Sequence, residues 1–351
     1  MFADSQDNRN ISSLSDSFIA SYLPANDGLL PDSVRGDSTG MFTVGDKVVS
    51  VTTVPFMLVP DIGIENAVWF SMQTVFGTAS VSMLQMKQIG IFLSLPDNCD
   101  DESAGEILKS IASAAAEYGV GVASTKVVRS GKNEFPLIGS ITVFSEGKKG
   151  GYLTPASILE DDDIIVTKYP GIAASAMLLA MFPNTISKEY GEGFVQDSLN
   201  IFDEVSIRTE LSVVSSMMRR GSGIHGVWNI AERGLIGSIY DLADNAGKGF
   251  CIDYSKLTSD ERCDNICKLF GLDPHFTLGN GSMIISCSKN KTQEIIRSLS
   301  NNRVFATCIG DFRARSYGKV GVKLGIEIPI IVPKTVDFWT AFFDAYDRGL
   351  D

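Results

Sequence analysis

The chain has 351 residues, 44% of them hydrophobic and 21% charged, and its formal net charge at pH 7 is −12. This length is too great for one ordinary core and predicts two domains of about 150 to 200 residues. The negative charge excludes nucleic acid as an expected partner, because binding to its phosphate backbone depends on Lys and Arg. No apolar run reaches the ~18 residues of a membrane helix, so no membrane partner is expected.

The first 35 residues are rich in Ser, Asp and Asn and are interpreted as an N-terminal arm. They contain no basic stretch followed by an apolar one, unlike a secretory signal. Six dispersed cysteines are typical of small buried side chains in a reducing compartment, which predicts a cytoplasmic protein. Cys263 and Cys267 form C-x3-C rather than the C-x2-C of zinc sites, so core packing is expected and metal or redox use is the weaker alternative.

The first half of the chain alternates between strand and helix patterns. Ile64 to Phe76 and Ile107 to Tyr118 have apolar residues at helical spacing. Period-2 and apolar runs predict strands at Met41 to Val44, Val48 to Thr53, Ile89 to Leu95, Gly119 to Val128 and Ile138 to Phe144. The glycine- and lysine-rich stretch Ser145 to Pro155 is predicted to be the break between domains of residues 36–155 and 156–351.

The second half alternates again. An acidic run, Glu160 to Asp163, is interpreted as a solvated turn rather than a metal site. A long amphipathic helix is predicted from Leu199 to Met218, ending at Gly221. The other predicted helices are Ala173 to Met181, Leu235 to Ala246 and Glu261 to Phe270, and the strands are Ile164 to Thr167, Gly249 to Asp253 and Met283 to Cys287. This alternation predicts an α/β or α+β layered fold.

The familiar phosphate-binding motif G-x-x-x-x-G-K-[ST] does not occur in the sequence. The chain has two histidines, His225 and His275, which disfavours histidine-rich metal sites and most hydrolase triads. A structural role is the expected one for both, with catalysis as the weaker alternative.

Short motifs nevertheless follow one another along the chain. Residues 36–39 read GDST, followed by the strand pattern VVSVTT at 48–53, and residues 60–63 read PDIG. Residues 125–128 read TKVV, and residues 163–180 read DIIVTKYPGIAASAMLLA. Residues 223–249 then align without a gap on the pattern GVHAMHDVTEGGVLGALWELAEASGVG, and GLDP and GSM follow at 271–274 and 281–283.

In this order and spacing, the motifs resemble the AIR synthase-related superfamily, which includes the hydrogenase maturation factor HypE, thiamine-monophosphate kinase and selenophosphate synthetase. The resemblance covers about Gly36 to Asp311 and is strongest to HypE-like members. It implies a PurM-like two-domain fold whose N-terminal domains share a barrel-like sheet in a homodimer. It also implies ATP as the ligand, with aspartates holding magnesium ions on the phosphates.

At the positions of those aspartates the chain departs from the family. In the first domain, Val54 and Pro55 replace an Asp and a Ser or Thr, Gln73-Thr74 replaces Asn-Asp, and Ser124 replaces Asp. In the second domain, Asn229, Ala231 and Arg233 replace Asp, Thr and Gly. Asp37 alone survives of the acidic set. Because magnesium needs several oxygen ligands, tight binding of magnesium and ATP is not expected, and Val54 is expected to present an apolar group to the phosphates.

The resemblance therefore predicts a degenerate, HypE-like homodimer that acts as a binding or regulatory protein and holds a nucleotide or another anion weakly. The C-terminal residues 346–351 also lack the terminal cysteine on which HypE carries its carbamoyl group. The alternative is an ATP-dependent enzyme with a rearranged site. In both cases the expected ligand-binding residues are Asp37, Ser38, Thr39 and Lys126, and the alternative adds Glu232 near the substrate. Lys126 could equally be a surface lysine on a strand.

Overall fold

The computed structural model describes Leu30 and residues 39–219, 221, 223–332 and 338–351. Asp37 and Ser38, together with the apolar stretch of the arm at 18–23, lie outside the described residues. The described part is a mixed α/β structure built on two sheets. None of its helices combines the length and apolar character that a bilayer crossing requires.

The first sheet has five strands in the order β1-β2-β5-β3-β4. Its neighbours are antiparallel except for β3 and β4, which are parallel and joined by helix α2. Helices α1 and α2 pack together and against the sheet. The elements are β1 Thr39–Val44, β2 Lys47–Met57, α1 Ile64–Ala79, β3 Gln85–Leu95, α2 Asp101–Glu117, β4 Gly121–Arg129 and β5 Leu137–Lys148.

One face of this sheet is buried and the other is open. Along β2, alternate residues from Val48 to Phe56 are buried, as expected for a strand covered on one face. On the opposite face, Phe92 is 47% exposed and Phe144 is 38% exposed. Gly90 lies beneath Phe144, because a Cβ added to Gly90 would lie 3.7 Å from its Cε2 atom. The open face therefore presents two aromatic side chains to solvent.

The second sheet has seven strands in the order β12-β11-β8-β10-β6-β9-β7. Its strands are β6 Asp163–Thr167, β7 Ile224–Asn229, β8 Lys248–Asp253, β9 Met283–Cys287, β10 Ala306–Ala314, β11 Lys319–Lys323 and β12 Ile326–Pro329. The helices are α3 Ile172–Met181, α4 Pro183–Tyr190, α5 Glu192–Ser198, α6 Ile201–Glu204, α7 Arg208–Met218, α8 Gly234–Ala246, α9 Glu261–Leu269, α10 Thr292–Asn301 and α11 Phe338–Asp347.

Helices cover both faces of the second sheet, so its central strands are apolar throughout rather than alternating. Ile164 and Ile284 pack in the core beneath α8. Their neighbours Ile165 and Ile285 point to the opposite face and pack in the core formed with α7 and α10. The run of buried residues in β6 and β9 follows directly from this three-layer arrangement.

The structure corrects three sequence-based predictions. The helix predicted from Leu199 to Met218 is broken into α6 and α7, with Val205 to Ile207 between them. Residues 145–148, predicted to belong to the break, extend strand β5, while the predicted boundary at 155/156 falls between the two sheets. The acidic run forms a turn, but Asp162 is buried and is not solvated.

Asp162 is buried because other groups satisfy its carboxylate. It accepts hydrogen bonds from the Ser286 hydroxyl at 2.8 Å and from the Leu159 backbone N–H at 3.0 Å. His225 Nδ1 lies 2.9 Å from both carboxylate oxygens. This network joins the turn to strands β7 and β9 and gives His225 a structural role.

The buried serines of the two sheets differ in whether their hydroxyl groups have hydrogen-bond partners, and substitution can test what this difference contributes to stability. Ser50 and Ser145 face each other across β2 and β5, and neither buried hydroxyl has a hydrogen-bond partner among the residues that the structure describes. We expect Ser145→Ala to leave the free energy of unfolding unchanged or to raise it by up to about 1 kcal/mol, because no bond is lost. Ser286→Ala should lower it by about 1–2 kcal/mol, because Asp162 loses a donor. Urea denaturation measures both, and equal losses would contradict the expectation.

Candidate functional site

The candidate site lies at the seam between the two domains, where helix α1 is covered by both. The first half of α1 stacks on the second domain: the ring centroids of Trp69 and Phe202 are 5.4 Å apart, and those of Phe70 and Phe202 are 5.9 Å apart. The second half of α1 contacts strand β7. These contacts bring the helical positions Gln73 and Thr74 to the side of the second domain that carries Asn229.

Asn229 ends strand β7 and lies against Gly77 of α1. A Cβ added to Gly77 would be 2.8 Å from the Asn229 Oδ1 atom, so the glycine makes room for the amide. Asn229 is buried, and neither its Oδ1 nor its Nδ2 has a hydrogen-bond partner among the described residues. Thr74 precedes Gly77 by three residues, so the two lie on the same side of the helix. Positions 74 and 229 therefore lie close together across the seam.

The loop of residues 277–282 runs beside Asn229. Its Ser282 carbonyl accepts from the Ile230 N–H at 3.3 Å, and its Gly279 N–H donates to the Ala231 carbonyl at 3.3 Å. Within this loop, the buried Thr277 hydroxyl and Asn280 amide also lack hydrogen-bond partners in the described part of the chain. Because most buried polar groups are paired, this concentration of unpaired, uncharged groups marks the seam as a candidate binding site.

A polar bridge crosses the seam at Gln73. The Tyr118 hydroxyl donates to Gln73 Oε1 at 2.7 Å and lies 3.4 Å from the Ser206 hydroxyl of the second domain. The Tyr118 ring also stacks on Phe76, with centroids 4.3 Å apart. Burial raises the pKa of Tyr118 to about 12, so the hydroxyl stays protonated and remains a donor at neutral pH.

A buried ion pair that no sequence motif predicted lies behind this bridge. Lys168 Nζ lies 2.7 Å from Glu210 Oε1, and the Glu210 side chain is fully buried. Burial raises the pKa of Glu210, and the Lys168 ammonium opposes that shift. No sequence motif links residues 168 and 210. The one signal for Glu210 is its position on the side of α7 that is expected to be buried and apolar, where a carboxylate is an exception.

The predicted ligand-binding residues that are described lie far apart in one chain. Thr39 is on the buried face of β1, and its hydroxyl lies 2.8 Å from the Thr52 hydroxyl. It lines a cleft with Ser82, Thr154, Gly226, Trp228 and Leu242. Lys126 is exposed on β4, at the other edge of the sheet. With three strands between β1 and β4, the two positions are separated by about 19 Å in the direction across the strands, and Lys126 also lies further along its strand.

Two positions that carry aspartate in the resembling family also differ from expectation. Val54, expected to face the phosphates, instead packs in the apolar core of the first domain. Ser124 lies on the open face, where its hydroxyl is 3.1 Å from the Cβ position of Gly90. In the described ranges no group of three or more His, Cys, Asp or Glu side chains could hold a metal ion.

The remaining predicted residues have ordinary environments. Glu232 and Arg233 are exposed at the start of α8, and Arg233 donates to Asp241. Cys263 and Cys267 are buried on α9, and burial raises the pKa of Cys267 to about 12, as expected for unreactive packing thiols. Asp273 caps the short turn that contains His275: its Oδ1 accepts from the His275 backbone N–H at 2.9 Å and lies 3.2 Å from His275 Nδ1.

The fit between Gly77 and Asn229 can be tested with a matched pair of glycines. We expect Gly77→Ala to lower the free energy of unfolding by about 1–3 kcal/mol, because the new methyl group overlaps the Asn229 amide. Gly105→Ala, in α2 with no atom near the new Cβ, should raise it by about 0.5–1 kcal/mol. Urea denaturation measures both changes. Adding Asn229→Ala should restore most of the loss of Gly77→Ala, and a loss that persists would show that another contact is responsible.

Comparisons with known proteins agree with this architecture. Residues 160–323 match the family model described as AIR synthase related protein, C-terminal domain. A putative hydrogenase expression/formation protein of Methanocaldococcus jannaschii is 24% identical over 274 residues, which are 75% of this chain and 75% of that protein. The carbamoyl dehydratase HypE of Cupriavidus necator is 24% identical over 199 residues, which are 55% of this chain and 52% of that protein.

Solved structures show the same fold. A ThiL protein complexed with AMPPCP and TMP has a TM-score of 0.65 and 16% identity, with coverage of 86% of this chain and 90% of that chain. The match to HypE and ThiL structures extends over both sheets, and the family model covers most of the second domain. Residues 160–323 therefore resemble an AIR synthase related C-terminal domain, and the chain has the PurM-like fold of the HypE and ThiL structures.

Proposed function

We propose that this chain is a degenerate, HypE-like homodimer that acts as a binding or regulatory protein and holds a nucleotide or another anion weakly, without a tightly bound magnesium ion. The observation that carries this proposal is the neutral seam. Where the resembling family has aspartates, Asn229 presents an uncharged amide and Val54 is part of an apolar core. These groups cannot balance the charge of divalent cations.

Nucleotide binding is proposed from the fold. A HypE structure in complex with ATP and the ThiL complex with AMPPCP share this architecture. In one chain, Thr39 and Lys126 are too far apart to contact the same phosphates. We propose that a nucleotide is instead held between protomers, with Lys126 supplied by one and Asp37, Ser38 and Thr39 by its partner.

The homodimer is proposed from the open face of the first sheet. Helices α1 and α2 cover the opposite face, so exposed Phe92 and Phe144 form an apolar surface that a second copy could cover. The six cysteines are free thiols, which favours the proposed cytoplasmic location.

The alternative function is an ATP-dependent enzyme with a rearranged site. The cleft beside Thr39 favours it, because it lies between the sheets and its lining residues include Thr39, Ser82 and Thr154 as well as Trp228. In this case the residues beside the cleft would replace the missing carboxylates, with Glu232 near the substrate.

The dimer proposal predicts the effect of charge on the open face. We expect the double variant Phe92→Glu, Phe144→Glu to be monomeric at micromolar concentration, because four like charges would meet in the interface while each free face stays solvated. Sedimentation velocity measures the mass. Leu199→Glu, at an exposed leucine of the second domain, is the matched control and should remain dimeric. A wild-type monomer, or a dimeric double variant, would contradict the proposal.

The metal proposal predicts how magnesium affects nucleotide binding. We expect millimolar magnesium to change the Kd for ATP by less than about twofold, because the seam offers it too few oxygen ligands. Isothermal titration calorimetry with and without magnesium measures this change. A rise of tenfold or more in affinity, roughly 1.4 kcal/mol, together with ATP turnover would instead support the alternative enzyme.

A further inference from the structure

The Lys168 ammonium is enclosed by oxygen atoms. Its Nζ donates to the backbone carbonyls of Glu204 and Ser206, both at 2.7 Å, and to that of Gly281 at 3.0 Å. Glu210 Oε1 lies at 2.7 Å. These four oxygens, named here the oxygen cage, come from the end of α6, the link to α7, helix α7 itself and the 277–282 loop.

The surrounding fold fixes both the oxygen cage and the backbone of Lys168. Glu210 is fully buried, and the Lys168 side chain is 12% exposed. Lys168 has a positive φ of 52°, its N–H donates to the Phe305 carbonyl at 2.9 Å, and its carbonyl accepts from the Thr258 hydroxyl at 3.1 Å. The backbone is thus fixed on both sides of the residue, and the side chain is directed into the cage.

The Lys168 ammonium is bonded as a cation at the centre of the cage would be. An ammonium has three N–H donors, and the three carbonyls use all of them. Glu210 therefore contributes its charge, and its oxygens lack an aligned hydrogen bond despite the short contact. Carbonyl oxygens arranged around one point are also the ligands with which proteins replace the hydration shell of potassium.

We propose that the oxygen cage is a monovalent-cation site that this chain fills with its own Lys168 ammonium. The tethered cation joins α7 to the 277–282 loop, which carries the unpaired Thr277 and Asn280 of the seam. Potassium or ammonium ions should therefore have no effect on the native protein but should bind when the tethered charge is removed. This inference concerns the second domain alone and does not depend on nucleotide binding or on dimer formation.

The variant Lys168→Met tests the proposal, because methionine reproduces the stem as far as Cε and omits the Nζ position. We expect its Tm to fall in N-methylglucamine chloride, since Glu210 is left buried without a countercharge. Relative to N-methylglucamine chloride at the same ionic strength, potassium or ammonium chloride should raise the folded-to-unfolded ratio of Lys168→Met about tenfold and its Tm by about 3 °C. The control variant Lys289→Met removes an exposed lysine instead. Its Tm and that of the wild type should each be the same in all three salts.

The double variant Lys168→Met, Glu210→Gln shows whether the anionic ligand matters. It should be more stable than Lys168→Met in N-methylglucamine chloride and should lose the response to potassium, because the buried charge is gone. If Lys168→Met does not fold in N-methylglucamine chloride, its refolding yield in potassium against N-methylglucamine gives the same comparison. Equal behaviour of Lys168→Met in all salts, or an undiminished response in the double variant, would overturn the proposal.

Discussion

The structure depends on the burial of helix α1 from more than one side. Ala67, Val68, Met72, Val75 and Phe76 leave almost no polar face along its length, and a helix of that kind must be covered all round. The first sheet covers one side, and Phe202 and strand β7 of the second domain cover another. The seam between the domains is therefore a consequence of core packing, and any ligand there must bind within a tightly packed boundary.

That constraint explains why the groups at the seam are neutral or internally paired. A carboxylate at such a boundary would be desolvated, and without a metal ion it would need a fixed counterion. Asn229 avoids this cost by carrying no charge, although its amide is unpaired. Glu210 keeps its charge, and the chain supplies Lys168 to balance it. The seam thus holds a buried charge pair that belongs to the chain and several hydrogen-bonding groups that have no partner among the described residues.

Much of the fold could be predicted from the sequence because its elements carry strong local patterns. The Met283–Cys287 strand was predicted with correct ends, and α3 and α8 within one residue, since buried apolar runs and Gly247 mark them. The break between α6 and α7 was not predicted, because its cause is tertiary: the Glu204 and Ser206 carbonyls turn toward Lys168 instead of continuing a helix. The burial of Val54 was missed for a similar reason, since the face of a strand depends on the register of the whole sheet.

The structure separates two of the positions at which the resembling family is expected to carry aspartate. Within one chain, Val54 faces the core beneath the first sheet, whereas Ser124 faces the open side of the same sheet. Aspartates at these two positions would be separated by the sheet itself and could not share a metal ion. Among the described positions, Thr74 and Asn229 approach each other across Gly77, and two carboxylates there would repel each other. Backbone arrangement and residue type together make the described part of the seam neutral, which is the basis of the proposal that this site binds through hydrogen bonds rather than through a metal ion.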